Sequence, residues 1–517
     1  MPMNENDIEI ELAEFARTEA ERLGLGTEQY TERIDRDFRA SQRHHTTLLV
    51  SGLTLAHDRL NAAALRGIGY RAEMLDCPDT EALQLGREFG NRGQCNPTYF
   101  TVGNLIKQLT ALRAGGLSTE QIVSDYVFLT AGACGPCRFG TYITEYRKAL
   151  RDSGFEGFRV LLVQQQGGIQ QATGEDLGLQ LDLRFSYAIL RALVASDVLN
   201  LQGYRMRPYE LVPGSTDAAL ESCKDVLEAA LSTGGSVLAA LLRCRRILAR
   251  VPVDRSQPKP LVSVIGEFWA MTTEGDGNYR LQRFLEEQGA EVHVQSITNW
   301  LLFMLWENRF DTLERMELRR DDGSRKGLEG KDPTKKLWGL AIGERAIRLS
   351  FQIFAKAIGL YGHTLPDMDE IATLAAKHYG NDVRGGEAHM EVGKVIHFAE
   401  HGLNHMTLSV KPFGCMPSSG VSDGVQSLVT ARWPEAIFLP VETTGDGEVG
   451  VQSRIQMRLF SARQRCRAEF EQALEDCGLD EQTFRQRVAG SRRWSGPFHR
   501  PPHRVAGGAA NLVFAVR

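Results

Sequence analysis

Short apolar runs alternate with stretches of helical periodicity through most of the chain. Thr46-Thr-Leu-Leu-Val-Ser51 is a run of buried-strand type, residues 56–67 suit a helix, and Tyr70-Arg-Ala-Glu-Met-Leu75 suits the next strand. Residues 102–114 predict a helix that stops at the Gly115-Gly116 pair. Asp125-Tyr-Val-Phe-Leu-Thr130 and Phe158-Arg-Val-Leu-Leu-Val163 predict two further strands, with a helix over 142–153 between them. After a Gln- and Gly-rich loop at 164–182, residues 183–250 are mostly helical, and Arg255-Ser-Gln-Pro-Lys-Pro260 reads as a linker. A second block of the same texture follows. Its strands are expected at 261–267, 291–294, 406–410 and 436–440, with helices over 279–289, 387–402 and 420–432 and an exposed loop at 319–336.

The two blocks echo each other. In each, a helix bearing a Val-Gly pair (Val102-Gly103, Val392-Gly393) precedes a strand that runs into a cysteine-bearing loop, Ala133-Cys-Gly-Pro-Cys-Arg138 or Pro412-Phe-Gly-Cys-Met-Pro417. The expected fold class is therefore α/β, with two similar open α/β domains joined by a helical segment and cysteine loops at the carboxyl ends of strands. Open α/β sheets bind ligands at those ends. The expected divisions are a helical arm over 1–44, used for packing or for contact with a second copy in a homodimer, a first α/β domain over 45–165, a helical connection over 166–259, a second α/β domain over 260–460, and a C-terminal helix with a basic tail over 461–517. Residues 482–517 contain seven Arg and no Asp or Glu, which predicts a loosely docked or disordered arm rather than an anion contact.

Composition narrows the function classes. The 517 residues are 42% hydrophobic and 24% charged, with a formal net charge of −5, so a global basic field for nucleic acid is excluded. No run of about 18 apolar residues predicts a membrane span. The N-terminus is acidic and has no apolar signal core, so the expected compartment is the cytoplasm, where thiols stay reduced. Nine cysteines are too few for a disulfide framework in a chain of this length, and clustered ones point to metal or redox chemistry.

Cys134-Gly-Pro-Cys137, between a strand and a helix, is the sharpest local signal. It admits thioredoxin-like dithiol exchange, zinc binding, or an iron–sulfur cluster. Exchange lacks a proline loop after the following strand, and a structural zinc site usually shows two short cysteine knuckles where this chain has one. A cluster accepts thiolates from scattered loops. Cys95 in Gly-Gln-Cys-Asn-Pro97 and Cys415 in Phe-Gly-Cys-Met-Pro417 would complete a set of four with Cys134 and Cys137, and Cys77 is a fifth loop cysteine. Cys223, Cys244, Cys466 and Cys477 lie in helical texture. His397-Phe-Ala-Glu400-His401 matches a zinc-peptidase pattern, yet inside a βα unit it is expected to be an ordinary partly packed helix face. Gly275-Asp-Gly-Asn278 is expected to be a plain tight loop, and no P-loop is present.

On Cys95-Asn-Pro97 with Gly103, Gly135-Pro-Cys-Arg-Phe-Gly140, Arg207-Pro-Tyr-Glu210, Gly266-Glu267, Asn278 with Glu287, Gly289 and Ala290, and Pro412-Phe-Gly-Cys-Met-Pro417, the chain resembles the non-ATPase part of the large activator-related proteins of the 2-hydroxyacyl-CoA dehydratase system, relatives of the dehydratase subunits and of double-cubane cluster proteins. The resemblance spans roughly residues 45–460. It implies an oxygen-sensitive iron–sulfur cluster between two α/β domains, low-potential electron transfer or reductive chemistry, an electron donor protein or ATPase activator as partner, and an acyl-CoA or other small-molecule substrate. Cys95, Cys137 and Cys415 match the family's cysteine loops, whereas Cys134 stands where a small residue is usual. The actin-like ATPase module is absent, so ATP hydrolysis is not carried over. A double cubane needs six cysteine ligands, so a single [4Fe–4S] cluster is favoured. Asn96 and Arg138 flank the cysteines as cofactor-binding candidates, with Arg138 placed to offset cluster charge, and Glu267 is the acid/base candidate. The alternative from another class is a cluster- or zinc-stabilised scaffold that catalyses nothing.

Overall fold

The computed structural model describes residues 14–15, 17–20, 22–23, 38–132, 137–164, 168–169, 178–318, 328, 332–383 and 388–517. Met1–Arg36 form one unit and Asp37–Arg517 another. In the first, residues 17–20 are helical, Arg22 pairs with Glu19 at 2.7 Å, and Phe15 and Leu23 are exposed.

The second unit contains two α/β lobes. In the first lobe, β1 (Thr47–Val50) leads through α1 (Leu55–Gly67) to β2 (Arg71–Met74). Then come α2 (Thr80–Phe89), α3 (Asn96–Ala114), β3 (Tyr126–Gly132), α4 (Tyr142–Asp152), β4 (Arg159–Gln164) and β5 (Gly168–Ile169). The sheet order is β2-β1-β3-β4-β5, parallel except for β5. β1 is buried along its whole length, as strands covered on both faces must be. Side-chain oxygens start the helices: Thr54 accepts from the His57 N–H and caps α1, and Asp79 accepts from the Ala82 N–H and caps α2.

Three helices follow, α5 (Leu183–Met206), α6 (Ser215–Ser232) and α7 (Val237–Leu248). Buried groups of α5 tie to both lobes. Ser196 donates to the Ala56 carbonyl, while the Asp197 carboxylate accepts from the N–H groups of Ile297 and Thr298 at 2.9 and 2.6 Å.

The second lobe begins with β6 (Leu261–Gly266) and β7 (Glu291–Val294). Helices α8 (Ile297–Glu317), α9 (Pro333–Ile358), α10 (Met368–Ala375) and α11 (Ala388–His401) come next, then β8 (Met406–Pro412) and β9 (Ile437–Thr443). Its sheet order, β7-β6-β8-β9, is parallel throughout. Strand for strand this repeats β2-β1-β3-β4 of the first lobe, so the echo between the two halves of the sequence is a repeat of topology. The Val-Gly pairs have matching roles. A Cβ on Gly103 would sit 1.8 Å from the Ala82 carbonyl oxygen of α2, and one on Gly393 would sit 2.2 Å from the Ile371 carbonyl oxygen of α10. Glycine at each position lets two helices pack backbone to backbone.

Three sequence expectations are corrected. The loop expected through residue 336 ends earlier, because the Asp332 side chain accepts from the Thr334 N–H and starts α9 at Pro333; residues 319–327 of that loop lie outside the described residues. The helix expected from Tyr279 starts at Leu281, because Tyr279 and Arg280 take left-handed backbone conformations (φ 59° and 51°). Tyr279 turns inward, and its hydroxyl oxygen accepts from the N–H groups of Thr444, Gly445 and Gly447 at 2.8–3.1 Å. The basic tail is docked. After α12 (Glu448–Cys477), helices α13 (Glu481–Ala489) and α14 (Gly508–Val516) bury Phe484, Val488, Leu512 and Val513 against Phe470 and Ala473. Enough apolar surface is interleaved with the arginines for the segment to fold onto α12, which the charge count alone conceals. Among the described residues, no helix is long and apolar enough to cross a membrane.

Candidate metal centre between the lobes

The lobes are stitched where their cysteine-bearing segments meet. The Asn96 N–H donates to the Phe413 carbonyl at 3.1 Å, and the Asn96 side-chain amide donates to the Thr443 carbonyl at 2.8 Å. Arg138 bridges both sides, donating to the Gly93 carbonyl at 2.8 Å and to the Gly414 carbonyl at 3.2 Å. Gly414 has φ +78°, and a Cβ there would lie 3.2 Å from Cys95 Cα, so this turn packs directly on the Cys95 backbone. Deeper in the interface, Phe100 and Trp269 pack with ring centroids 5.4 Å apart.

Behind these stitches lies a cavity of about 650 Å³ lined by both lobes, and Cys95, Cys137 and Cys415 all face it. The three occupy equivalent local positions, each being the residue that caps a helical turn: Cys95 before α3, Cys137 before Arg138–Thr141, and Cys415 before the short helix Met416–Gly420 that follows β8. Cys95 Sγ is 3.1 Å from both the Thr98 hydroxyl and the Tyr142 hydroxyl. Cys137 Sγ accepts from the Phe139 N–H at 3.5 Å. Burial pushes the Cys415 thiol far above its ordinary range, and the nearby Glu267 carboxyl adds to the shift. A helix start lowers a thiol pKa, but at Cys415 burial and the facing carboxylate win.

The remaining sequence candidates fall into place around this cavity. Cys134 lies outside the described residues. Arg138 and Glu267 both line the cavity. Glu267 also accepts from the Ala270 N–H at 2.8 Å, and burial raises its carboxyl pKa. Asn96 is buried, with its amide on the Thr443 carbonyl, and is not among the lining residues, so its place is that of a clamp between lobes. Cys77 is also absent from the lining and packs against the Gly275 turn, where a Cβ would meet its sulfur at 2.7 Å. In that turn the buried Asn278 amide donates to the carbonyls of Ala270 and Thr273, as a plain tight loop requires. Cys223 and Cys244 donate to each other's backbone carbonyls between α6 and α7. Cys466 is buried on α12 and Cys477 ends it, and none of these four lines the cavity.

Asp58 carries no sequence motif, yet its buried side chain lines the same cavity. Its carboxyl accepts from the Gly52 and Leu53 N–H groups at 3.1 and 3.3 Å, and burial pushes its pKa up to about 7. The available clue was the turn Ser51-Gly-Leu-Thr54 at the carboxyl end of β1, the strand end where an open α/β sheet places ligands. The raised value has a sign. The native state binds the proton more tightly than the unfolded chain, whose carboxyl titrates near about pH 4. The stabilising contribution is full below that pH and is lost as pH rises through 7, a change of order 4 kcal/mol. Asp58→Asn is expected to melt higher than the parent at pH 8 and to converge with it near pH 4. Parallel pH profiles for the two proteins in scanning calorimetry would refute this.

No family model matches the chain, and no curated protein matches it, so the dehydratase-related resemblance rests on the motif residues themselves.

Proposed function

We propose that the chain is a cytoplasmic iron–sulfur protein that holds its cluster between the two α/β lobes and serves low-potential electron transfer or a difficult reduction. The observation that supports this is that Cys95, Cys137 and Cys415, more than 300 residues apart at their extremes, face one cavity from two lobes. Soft thiolate donors select iron–sulfur clusters or zinc over hard cations. The protein's thiols fit such a role. A buried Cys415 thiol is protonated when unligated, and exchanging that proton for a metal removes the charge penalty that burial imposes. Cys134, four residues or fewer from Cys137 and Arg138, is the natural fourth ligand of a single [4Fe–4S] cluster.

A bound cluster would supply one-electron transfer. The chain's own groups do the rest. Arg138 brings positive charge to the cavity wall while locking the two cysteine loops together. Burial shifts both carboxyls on the cavity wall upward, Asp58 to about 7, so Asp58 can hold or release a proton near neutral pH while Glu267 is biased toward its protonated form. Along α8, Trp300, Phe303 and Met304 give the wall an apolar stretch and Glu307, Asp311 and Arg315 a charged one, a mixed lining that suits a small organic substrate carrying polar groups, with an acyl-CoA as the dehydratase-like choice. The electron donor would be a separate protein or an ATPase activator.

Dithiol exchange would use Cys134 and Cys137 alone and leave the presence of Cys95 and Cys415 on the wall of the same cavity without a purpose. A zinc-bound scaffold uses the same donors, and one experiment separates it. Purification and reconstitution under anaerobic conditions is expected to give about four iron and four sulfide per chain, with an electron-resonance signal on reduction. Stoichiometric zinc, with neither iron nor sulfide retained, would overturn the cluster reading in favour of the scaffold.

A further inference from the structure

A second cluster of ligand-type side chains lies outside the cysteine cavity, on α10 and α11. The close approach of Gly393 to the Ile371 carbonyl sets these helices backbone to backbone. His397 and His401 follow Gly393 at successive four-residue steps, so all three lie along one stripe of α11. Glu370, the neighbour of Ile371, faces that stripe from α10. The result joins a histidine pair that the sequence suggests to a carboxylate it does not: Glu400, the acidic residue of the H-x-x-E-H match, is exposed, and Glu370 supplies the carboxylate instead.

We propose that Glu370, His397 and His401 form a binding site for a zinc-class divalent cation, with one coordination position open to solvent. One ligand atom from each residue lies within 4.8 Å of the other two. His397 Nδ1 is 3.2 Å from Glu370 Oε1, and His401 Nε2 is 3.9 Å from the same oxygen. Tetrahedral zinc with bonds of roughly 2.0–2.1 Å holds its N and O ligands roughly 3.3–3.4 Å apart, so the side chains need only small rotations to close on an ion.

Two details favour a metal over a bare ion pair. His401 Nδ1 lies 3.1 Å from the His397 carbonyl oxygen, and donating to it leaves Nε2 with its lone pair toward Glu370. A backbone carbonyl fixing the tautomer of a ligating histidine is a common outer-sphere arrangement at metal sites. His397 Nδ1 is buried and has Glu370 Oε1, a member of the triad, as its close polar neighbour at 3.2 Å, so this ligand atom is aimed at the other two. Two imidazoles and a carboxylate are a borderline donor set that suits zinc better than calcium or magnesium. The partial exposure of Glu370 and His401 leaves an entry path and room for a water as fourth ligand.

This site does not depend on the cluster reading, and its test keeps the two apart. The full chain, without a polyhistidine tag and carrying Cys95→Ser, Cys134→Ser, Cys137→Ser and Cys415→Ser, is stripped with chelator and titrated with Zn²⁺ by calorimetry and with Co²⁺ by visible absorption. One equivalent of each is expected to bind, and the Co²⁺ spectrum should show ligand-field bands without thiolate charge transfer. His401→Ala and Glu370→Gln, both at partly exposed positions where folding should survive, are each expected to weaken binding by about tenfold or more. Absence of stoichiometric Zn²⁺ binding, or binding that is unchanged by both substitutions, would overturn the proposal.

Discussion

Cys415→Ser is expected to remove most of the bound iron from anaerobically reconstituted protein. Among the described cavity cysteines, Cys415 is the one contributed by the second lobe, so its loss leaves a cluster held from one side. Cys95→Ser should act in the same direction. Serine is an informative replacement here because Cys95 and Cys415 both occupy helix-capping positions, where a serine oxygen is a preferred acceptor. The local turns should therefore survive, and a loss of iron can be assigned to the missing sulfur. Cys466→Ser is the control, since that thiol is buried on α12 away from the cavity. Iron and sulfide per chain, with the visible charge-transfer band, are the readouts. Full iron content in the Cys415→Ser protein would break the shared site.

The strands were the most legible part of the sequence, for a physical reason. Parallel strands buried on both faces are written as unbroken apolar runs, and β6, β7 and β8 appear in the chain as LVSVIG, EVHV and MTLSVKP with their burial nearly complete. The internal echo was legible because each lobe needs glycine at a backbone-to-backbone helix contact, Gly103 in the first and Gly393 in the second. Long-range chemistry was harder to read. Asp58 and Glu370 carry no motif, and each acquires its partners from a neighbour that only the fold supplies: the backbone turn at Gly52 and Leu53 for the first, the histidine stripe of α11 for the second. The tail misled because arginines dominate its composition while a handful of apolar residues decide its packing. The long helices α8 and α9, at 297–317 and 333–358, also lay outside the expected elements.

The Arg207-Pro-Tyr-Glu210 segment shows how a motif residue can serve architecture. Arg207 follows α5 and donates from Nη1 to both oxygens of Glu286 at 2.7 and 2.8 Å, and from Nε to Asp217 at 2.9 Å. Glu286 is 4% exposed and belongs to the second lobe, so the pair fastens the connecting helices to it. Tyr209 repeats the link by donating to Glu291 at 2.8 Å. Burial pushes the Glu286 carboxyl up, and the Arg207 guanidinium pulls it back toward the charged form. Arg207→Ala would leave that buried carboxylate with only the more distant Arg283 guanidinium at 4.0 Å, and breaking a buried pair in this way costs about 3–5 kcal/mol. Because a protonated Glu286 has no charge to compensate, the loss should be largest at pH 8 and should shrink as pH falls. Replacing both partners, as Arg207→Met with Glu286→Leu, should recover much of the deficit, since the buried charge then disappears together with its counter-charge. Urea denaturation of the parent, the single variant and the double variant at pH 8 and pH 5 measures each of these differences. A loss below about 1 kcal/mol at both pH values, the size of a surface ion pair, would show that the Arg207–Glu286 pair is not what fastens the helices to the second lobe.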